Sequence, residues 1–207
     1  MFLPGSEGQT SEDRRRILTA AASVLERTSY RSLKVRQVLT TANVATSTFY
    51  RHFTGKTDLM LALLRDEAFA RISELDDELA AAGTPRDEVV AWIDHSVRIA
   101  TDPVRHGQAK VYTDPLLLEE APAQLAQLTE LLIEPLFGVI ERGVAAGKLA
   151  SGDPERDARA LYHVVRGELT DVLTGVRDAD PNHVRDELIG FALQALGAET
   201  RNAVPSG

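Results

Sequence analysis

Apolar residues recur at helical spacing, at i, i+3, i+4 and i+7, along almost the whole of this chain, and alternating β-branched runs are missing. That pattern confines the fold to helices packed on helices. Alanine, leucine, arginine and glutamate dominate, and all are good helix formers, while aromatics are 5%. Thr84-Pro85, Asp153-Pro154 and Asp180-Pro181 each put a capping side chain before a proline. The cap accepts backbone N–H groups, and proline at the first helical position loses only an N–H that had no partner. Gly83, Gly147 and Gly197 follow helical stretches, where a left-handed residue commonly ends a helix. Asp102-Pro103, Asp114-Pro115 and Ala121-Pro122 break the middle further. The spacing predicts an all-α fold of nine helices, over 11–28, 33–41, 45–52, 56–82, 85–101, 104–112, 122–146, 154–176 and 181–196. The small, polar ends, 1–10 and 198–207, are expected to fray.

At 207 residues the chain has room for one or two domains, and 43% hydrophobic content supplies a core. The lack of cysteine removes disulfide scaffolds, thiolate zinc sites and cysteine nucleophiles together. No apolar run approaches the roughly 18–20 residues that cross a bilayer, and no secretory signal opens the chain. A cytoplasmic protein without a membrane partner is the expectation. The net charge of −8 divides unevenly. Residues 1–65 hold ten Lys/Arg against five Asp/Glu, or +5, and residues 66–207 hold thirteen against twenty-six, or −13. A basic head on an acidic body suits nucleic acid, but also an acidic partner or a membrane surface.

The first predicted helix turns Ile17, Ala21, Val24 and Leu25 to one face and starts with Arg14, Arg15 and Arg16. Three cations at a helix N-terminus oppose its dipole, so they meet either solvent or phosphate. The second helix is expected to open on Ser32 as its N-cap, with Leu33, Val38 and Leu39 turned inward. Asn43 then sits in a tight turn, where asparagine tolerates the left-handed conformation, and Val44 plugs the corner. The third helix is Thr46-Ser47-Thr48-Phe49-Tyr50-Arg51-His52-Phe53. Two short helices about a turn, after a longer first one, have the shape of a helix-turn-helix, whose second helix enters a major groove.

Ile17-Leu18-Thr19-Ala20-Ala21, Ala42-Asn43-Val44, and above all Thr48-Phe49-Tyr50-Arg51-His52-Phe53 followed by Lys56 and Leu59, resemble the DNA-binding region of the tetracycline-repressor (TetR) family. The resemblance covers about the first 60 residues; beyond them only the helix count and the Gly147-Lys148-Leu149 turn match. Three positions depart from the family pattern. Asn43 stands where glycine is usual, Ala45 where a capping serine is usual, and Thr28-Ser29-Tyr30 in place of a glycine–aromatic end to helix one. With Ala45 unable to cap, Thr46 caps one residue late or the helix starts elsewhere.

The resemblance implies that Tyr50 and His52 touch phosphate. Their plainer roles are a half-buried core aromatic and a surface histidine. Lys56 opens the fourth helix, where free N–H groups favour anions, or is simply solvated. Thr46, Ser47 and Thr48 are short, and their hydroxyls and methyls suit phosphates or base edges, so direct readout by them is modest. Arg36 sits where the family sometimes grips guanine, and a phosphate or solvent contact fits it equally. Ser32 and Lys34 complete the DNA-facing set, Lys34 toward phosphate. Phe49 and Phe53 belong to the core in either reading.

The acidic body carries no Gly-rich phosphate loop, no His-Glu-x-x-His and no Gly-x-Ser-x-Gly. Its histidines are scattered, so no metal site or cofactor is expected. The resemblance implies a ligand-sensing, dimer-forming domain. Leu161, Val165, Leu169 and Val172 on the eighth helix, with Leu188 and Phe191 on the ninth, either form a four-helix seam between two subunits or close the monomer's own core. Ala158 and Gly167 permit close approach. Trp92, His95, Ser96 and Ile99, with Val111, Tyr112, Leu132 and Phe137, line an effector cavity or are plain core. Pro135 removes a backbone bond to Leu131 and is expected to interrupt the seventh helix. Such walls suit an apolar or aromatic effector with few polar handles, and the acidic body repels large anions.

The chain thus reads as a homodimeric, TetR-like regulator, a repressor of palindromic operator DNA. Its head is residues 1–55 and its sensing and dimerisation domain 56–207. Two alternatives stand beside this: a ligand-independent DNA-binding or protein-docking module on the same fold, and a small all-α enzyme using His95 and Asp94. The second is weak, because adjacent helical residues point about 100° apart.

Overall fold

A computed structural model describes residues 6–102 and 114–198. Among them run nine helices and no strand: α1 (Ser6–Leu25), α2 (Val35–Ala42), α3 (Thr46–His52), α4 (Lys56–Ala81), α5 (Pro85–Thr101), α6 (Pro115–Glu120), α7 (Pro122–Ala145), α8 (Pro154–Thr174) and α9 (Pro181–Ala195). The all-α expectation holds. Among the described residues one short helix, α6, was not expected. The helix expected over 104–112 lies outside the described residues. Asp114, read as a break, caps α6 by accepting from the Leu116 N–H at 2.9 Å. α1 also starts five residues before its expected position, in a polar stretch whose spacing gave no signal.

The side-chain caps before Pro85, Pro154 and Pro181 form as the sequence predicts, whereas Gly83 does not take the left-handed conformation expected of it. Asp153 accepts from the Arg156 N–H at 3.1 Å, Asp180 from Asn182 at 2.9 Å, and the Thr84 hydroxyl from Asp87 at 3.2 Å. Gly147 and Gly197 adopt positive φ, of 64° and 61°. At the corner after α7 the chain turns back so closely that the Lys148 and Leu149 N–H groups both reach the Gly143 carbonyl. The Leu149 side chain then occupies the place where any residue but glycine at 143 would carry its Cβ.

The described residues pack as two compact units, one of residues 6–70, 102 and 114–129, the other of 71–101 and 130–198. Packing therefore groups residues differently from a division at residue 55, which is a division by role. In the first unit α1 packs on α2 and α3. Ile17, Ala21, Val24 and Leu25 are buried there with Leu33, Val38, Phe49 and Phe53, as their spacing predicts; Leu39 is only half-buried. In the second unit Trp92 and Ile93 of α5, Leu136 and Ile140 of α7, Leu161, Val165 and Leu169 of α8, and Val184 and Leu188 of α9 form one core.

Two further expectations are corrected. α7 runs through Pro135 without interruption, because a single missing backbone bond is tolerated when a helix is held by its packing. It is also, by length and composition, apolar enough to cross a bilayer, with a mean hydropathy of 1.2 over its best 18 residues. Its apolar residues are spread among polar ones, so no consecutive run revealed it. Ile133, Leu136, Val139 and Ile140 face the second core, and core helices pass the same test.

Candidate functional site

The helix-turn-helix is fixed from inside. Phe49 and Phe53 are buried with ring centroids 5.5 Å apart, anchoring the short α3 to the head. Asn43 takes φ 52°, ψ 52°, the left-handed turn its side chain tolerates. The turn's carbonyls are held by Arg16, whose Nη2 donates to Ala42 at 2.8 Å and to Asn43 at 3.2 Å. Arg14 is also engaged, bidentate on Asp66 at 2.8 and 3.1 Å. Two of the three leading arginines therefore have protein partners, in place of the solvent or phosphate expected of them.

α3 starts at Thr46 with Ala45 at its N-cap, contributing no side-chain bond, so Thr46 does not cap. α2 likewise does not open on Ser32. Its N-cap is Lys34, whose N–H donates to Gln37 Oε1 at 3.0 Å. Ser32 lies in the preceding turn, where its hydroxyl accepts from Ser29 at 3.1 Å.

The proposed DNA-facing residues divide by exposure. Lys34, Arg36, Thr46 and Ser47 are exposed, and Tyr50 is 61% exposed, edge-on to the buried Phe49 at 5.2 Å. Thr48 is half-buried and accepts from Arg51 Nη2 at 3.2 Å; Arg51 also lies 3.7 Å from Asp13. His52 turns its Nε2 inward, buried and unpartnered among the described residues, which leaves Nδ1 for any outside contact. Lys56 is not a free cation. Its Nζ donates to the Tyr30 carbonyl at 3.2 Å and stands 4.2 Å over the Tyr30 ring.

Tyr30 itself is 1% exposed, and its hydroxyl donates to Glu120 Oε2 at 2.5 Å. Thr57 donates to the same oxygen at 2.7 Å. Burial and the bond to Glu120 push the Tyr30 phenol up to about 12, and bonds from Tyr30 and Thr57 hold Glu120 below the usual carboxylate range.

In the second unit His95 is the one buried polar side chain among the described residues, at 5% exposure. Its Nδ1 lies 3.2 and 3.3 Å from the Glu78 oxygens and 3.0 Å from Arg98 Nη2, while Arg98 also binds Glu78. Nε2 is buried and has no hydrogen-bond partner among the described residues. Burial lowers the His95 pKa from its ordinary value, against the pull of Glu78. Trp92 packs nearby with its ring 6.5 Å from that of Tyr162, an aromatic that sequence reasoning missed. Of the expected effector residues, Trp92 and Ile99 are buried, Ser96, Leu132 and Phe137 are half-buried, and Val111 and Tyr112 lie outside the described residues. The Ser96 hydroxyl is already spent on the Trp92 carbonyl at 2.9 Å.

The sequence pattern of the bacterial regulatory proteins of the tetR family matches residues 17–63, spanning the last nine residues of α1, all of α2 and α3, and the start of α4. The HTH-type transcriptional repressor KstR of Mycobacterium tuberculosis (strain ATCC 25618 / H37Rv) is 30% identical over 165 residues, covering 78% of this chain and 68% of that protein. The chain belongs to the tetR family. A second relative of this tetR-family chain, the fatty acid metabolism regulator protein of Bacillus subtilis (strain 168), is 24% identical over 163 residues, covering 76% and 80%. The fold matches the transcriptional regulator FadR from Bacillus subtilis, solved in complex with stearoyl-CoA, with TM-score 0.76 and 18% identity, over 88% of this chain and 98% of that one. It also matches E. coli NemR in its reduced form, TM-score 0.73 and 18% identity, over 91% and 99%. The family is one of bacterial regulatory proteins, and this tetR-family chain is a helix-turn-helix transcriptional regulator.

The residues read as either a subunit seam or the single chain's own core divide by burial in this tetR-family chain. Leu161, Val165, Leu169 and Leu188 are buried in the core of the single chain, and Val172 is half-buried against it. Helical spacing marks a residue as apolar-facing without saying whether the face meets its own chain or another. Phe191 alone of the expected set is exposed, at 49%.

Proposed function

We propose that this regulator acts in the cytoplasm as a homodimer on palindromic operator DNA, and that a small apolar or aromatic effector releases it. Residues 1–55 bind DNA, and 56–207 sense and dimerise. Exposed Lys34, Arg36, Thr46, Ser47 and Tyr50 around a turn fixed by Asn43 support the DNA half. One short recognition helix reads few base pairs, so two half-sites are needed for useful specificity. Support for a shared face comes from exposed Ala160, Val164 and Gly167 on α8 and Gly190 and Phe191 on α9. Both glycines have open space around them, into which a partner helix can approach.

The observation that carries the effector half is His95. A buried polar atom without a hydrogen bond costs stability unless something else satisfies it. A carboxylate only accepts and a guanidinium only donates, so Nδ1 serves Glu78 or Arg98 according to the ring tautomer, and Nε2 is left as acceptor or donor. An uncharged carbonyl or ester oxygen accepts from Nε2 in the tautomer that puts the hydrogen there, whereas an anionic group would meet Glu78 and the acidic body. Names of relatives make a long acyl chain the first effector to try, because one is a fatty acid metabolism regulator and a fold neighbour was solved with stearoyl-CoA.

Selection from a random duplex pool should return an inverted repeat bound by two protomers. Stearic acid, methyl stearate and stearoyl-CoA are then added in turn. Methyl stearate, uncharged, is expected to raise the thermal midpoint and release DNA most effectively. Release by none of the three would overturn the long-acyl reading, and a selected site without symmetry would overturn the dimer.

A further inference from the structure

Glu120, at the end of α6, lies far along the chain from the helix-turn-helix, yet two hydroxyls of the head converge on one of its oxygens. Tyr30, in the turn between α1 and α2, and Thr57, in the first turn of α4, reach Oε2 at 2.5 and 2.7 Å. They also lie 3.2 Å from each other, closing a triangle. Tyr30 in turn carries Lys56, through its carbonyl at 3.2 Å and its ring face at 4.2 Å. A lysine has four rotatable bonds and three equivalent donors, so its ammonium has no fixed place unless something holds it. Here the holder is a buried tyrosine. Its depth is set by a bond to a carboxylate, and bonds to an ionised acceptor are shorter and stronger than neutral ones.

We propose that Glu120 is a positioning residue for DNA contact: through the Tyr30 and Thr57 hydroxyls it fixes the ring and carbonyl that hold the Lys56 ammonium at the start of α4. The proposal rests on the reading of Lys56 as a phosphate contact. One Lys56 N–H is spent on the Tyr30 carbonyl, and two remain for a phosphate. The ring lends the cation a partner without neutralising it. A displacement of α6 that pulls Glu120 from the two hydroxyls frees Tyr30 to shift and lets the ammonium wander, so the phosphate contact weakens although no DNA-facing residue has changed. Glu120 therefore couples a segment outside the helix-turn-helix to the grip on DNA.

The test uses the full chain and two duplexes, one selected by the wild type and one of random sequence. Tyr30→Phe keeps the ring and removes the hydroxyl. Glu120→Gln keeps an acceptor and removes the charge. Glu120→Ala removes both. Circular dichroism and thermal melting check that each variant is folded. Tyr30→Phe and Glu120→Ala are each expected to weaken both duplexes about tenfold, the scale of one charge-assisted bond, with Glu120→Gln between them and the wild type. Each should flatten the dependence of log affinity on log salt. The two changes combined should lose no more than one alone. In a Lys56→Ala background neither should weaken binding further, an outcome that a general loss of stability cannot produce. Lowered melting temperatures with unchanged affinity and salt slope would overturn the proposal, as would full additivity in the Lys56→Ala background. Unchanged binding by Lys56→Ala alone would instead overturn the phosphate reading of Lys56, and the proposal with it.

Discussion

Arg16 and Ala42 are joined across 26 positions of sequence: the Arg16 guanidinium on α1 donates to the Ala42 carbonyl on α2 at 2.8 Å. Helix ends leave carbonyls without partners, and this side chain supplies one to α2 and another to the Asn43 turn.

Arg16→Ala should therefore lower stability by about 1 kcal/mol, seen as a fall in the thermal midpoint. Operator affinity should fall more than the melting shift alone explains, since the angle of α3 depends on the turn. Arg16→Lys should recover only part of either, because its shorter side chain does not carry the ammonium as far as the Nη2 that serves both carbonyls. Full recovery of affinity by Arg16→Lys would show that charge alone was needed.

Asn43 tests the turn itself. Asn43→Gly should be neutral or slightly stabilising, whereas Asn43→Val should cost about 1–2 kcal/mol, since a β-branched residue resists φ 52°. Denaturant unfolding of the two variants gives the comparison, and equal midpoints would remove the left-handed turn as the reason for asparagine.

Holding and reading DNA should separate. Tyr50→Ala and His52→Ala are expected to weaken operator and random DNA alike; if each loses one phosphate contact, the salt slope falls by about one per protomer. Arg36→Ala should cost about 1–3 kcal/mol on the operator, spare random DNA, and relax one base pair per half-site in a selection logo. An unchanged logo would place Arg36 among the phosphate contacts.

Dimerisation should respond to exposed residues and not to buried ones. Phe191→Glu is expected to give a folded monomer in sedimentation at micromolar concentration. Leu169→Glu, by contrast, puts a charge into the single chain's core, at about 3 kcal/mol or more, and should unfold it. A Phe191→Glu variant that stays dimeric would exclude the α8–α9 face.

Stability should fall on mild acidification because of His95. Its pKa is lowered in the folded chain, chiefly by burial, so the unfolded chain takes up the proton more readily. The stability is present above the ordinary value of 6.5 and is lost as the pH falls through the folded value. Thermal midpoints measured from pH 7.5 down to pH 5 should drop for the wild type and stay flatter for His95→Phe. Parallel curves would assign the drop to other groups.

What the sequence made visible was local. Asn43 before Val44, the Asp153-Pro154 and Asp180-Pro181 pairs and the apolar spacing of α1 each state a conformation within a few residues, and each took it. What it hid was distant or ambiguous. Nothing near Arg16 says that its partner lies 26 residues away, and nothing near Tyr30 points to Glu120, 90 residues on. Tyr30 did stand out as a departure from the family's usual helix end, which marks a place without naming its partner. The six residues of α6 include three consecutive leucines, too short and too uniform to show a period. In α8 the apolar arc spans both the core and the open face, so spacing alone assigned its residues no side: Leu161, Val165 and Leu169 went inward and Val164 outward.

The corner after α7 has a consequence for how this chain can drift. Leu149 fills the space that a side chain at Gly143 would need. A side chain at 143 therefore requires Leu149 to shift or to be smaller, and a smaller residue at 149 alone leaves a cavity. The two positions form one inherited unit, six residues apart, and a mutational survey taken one site at a time would score both as costly while missing the paired route between them.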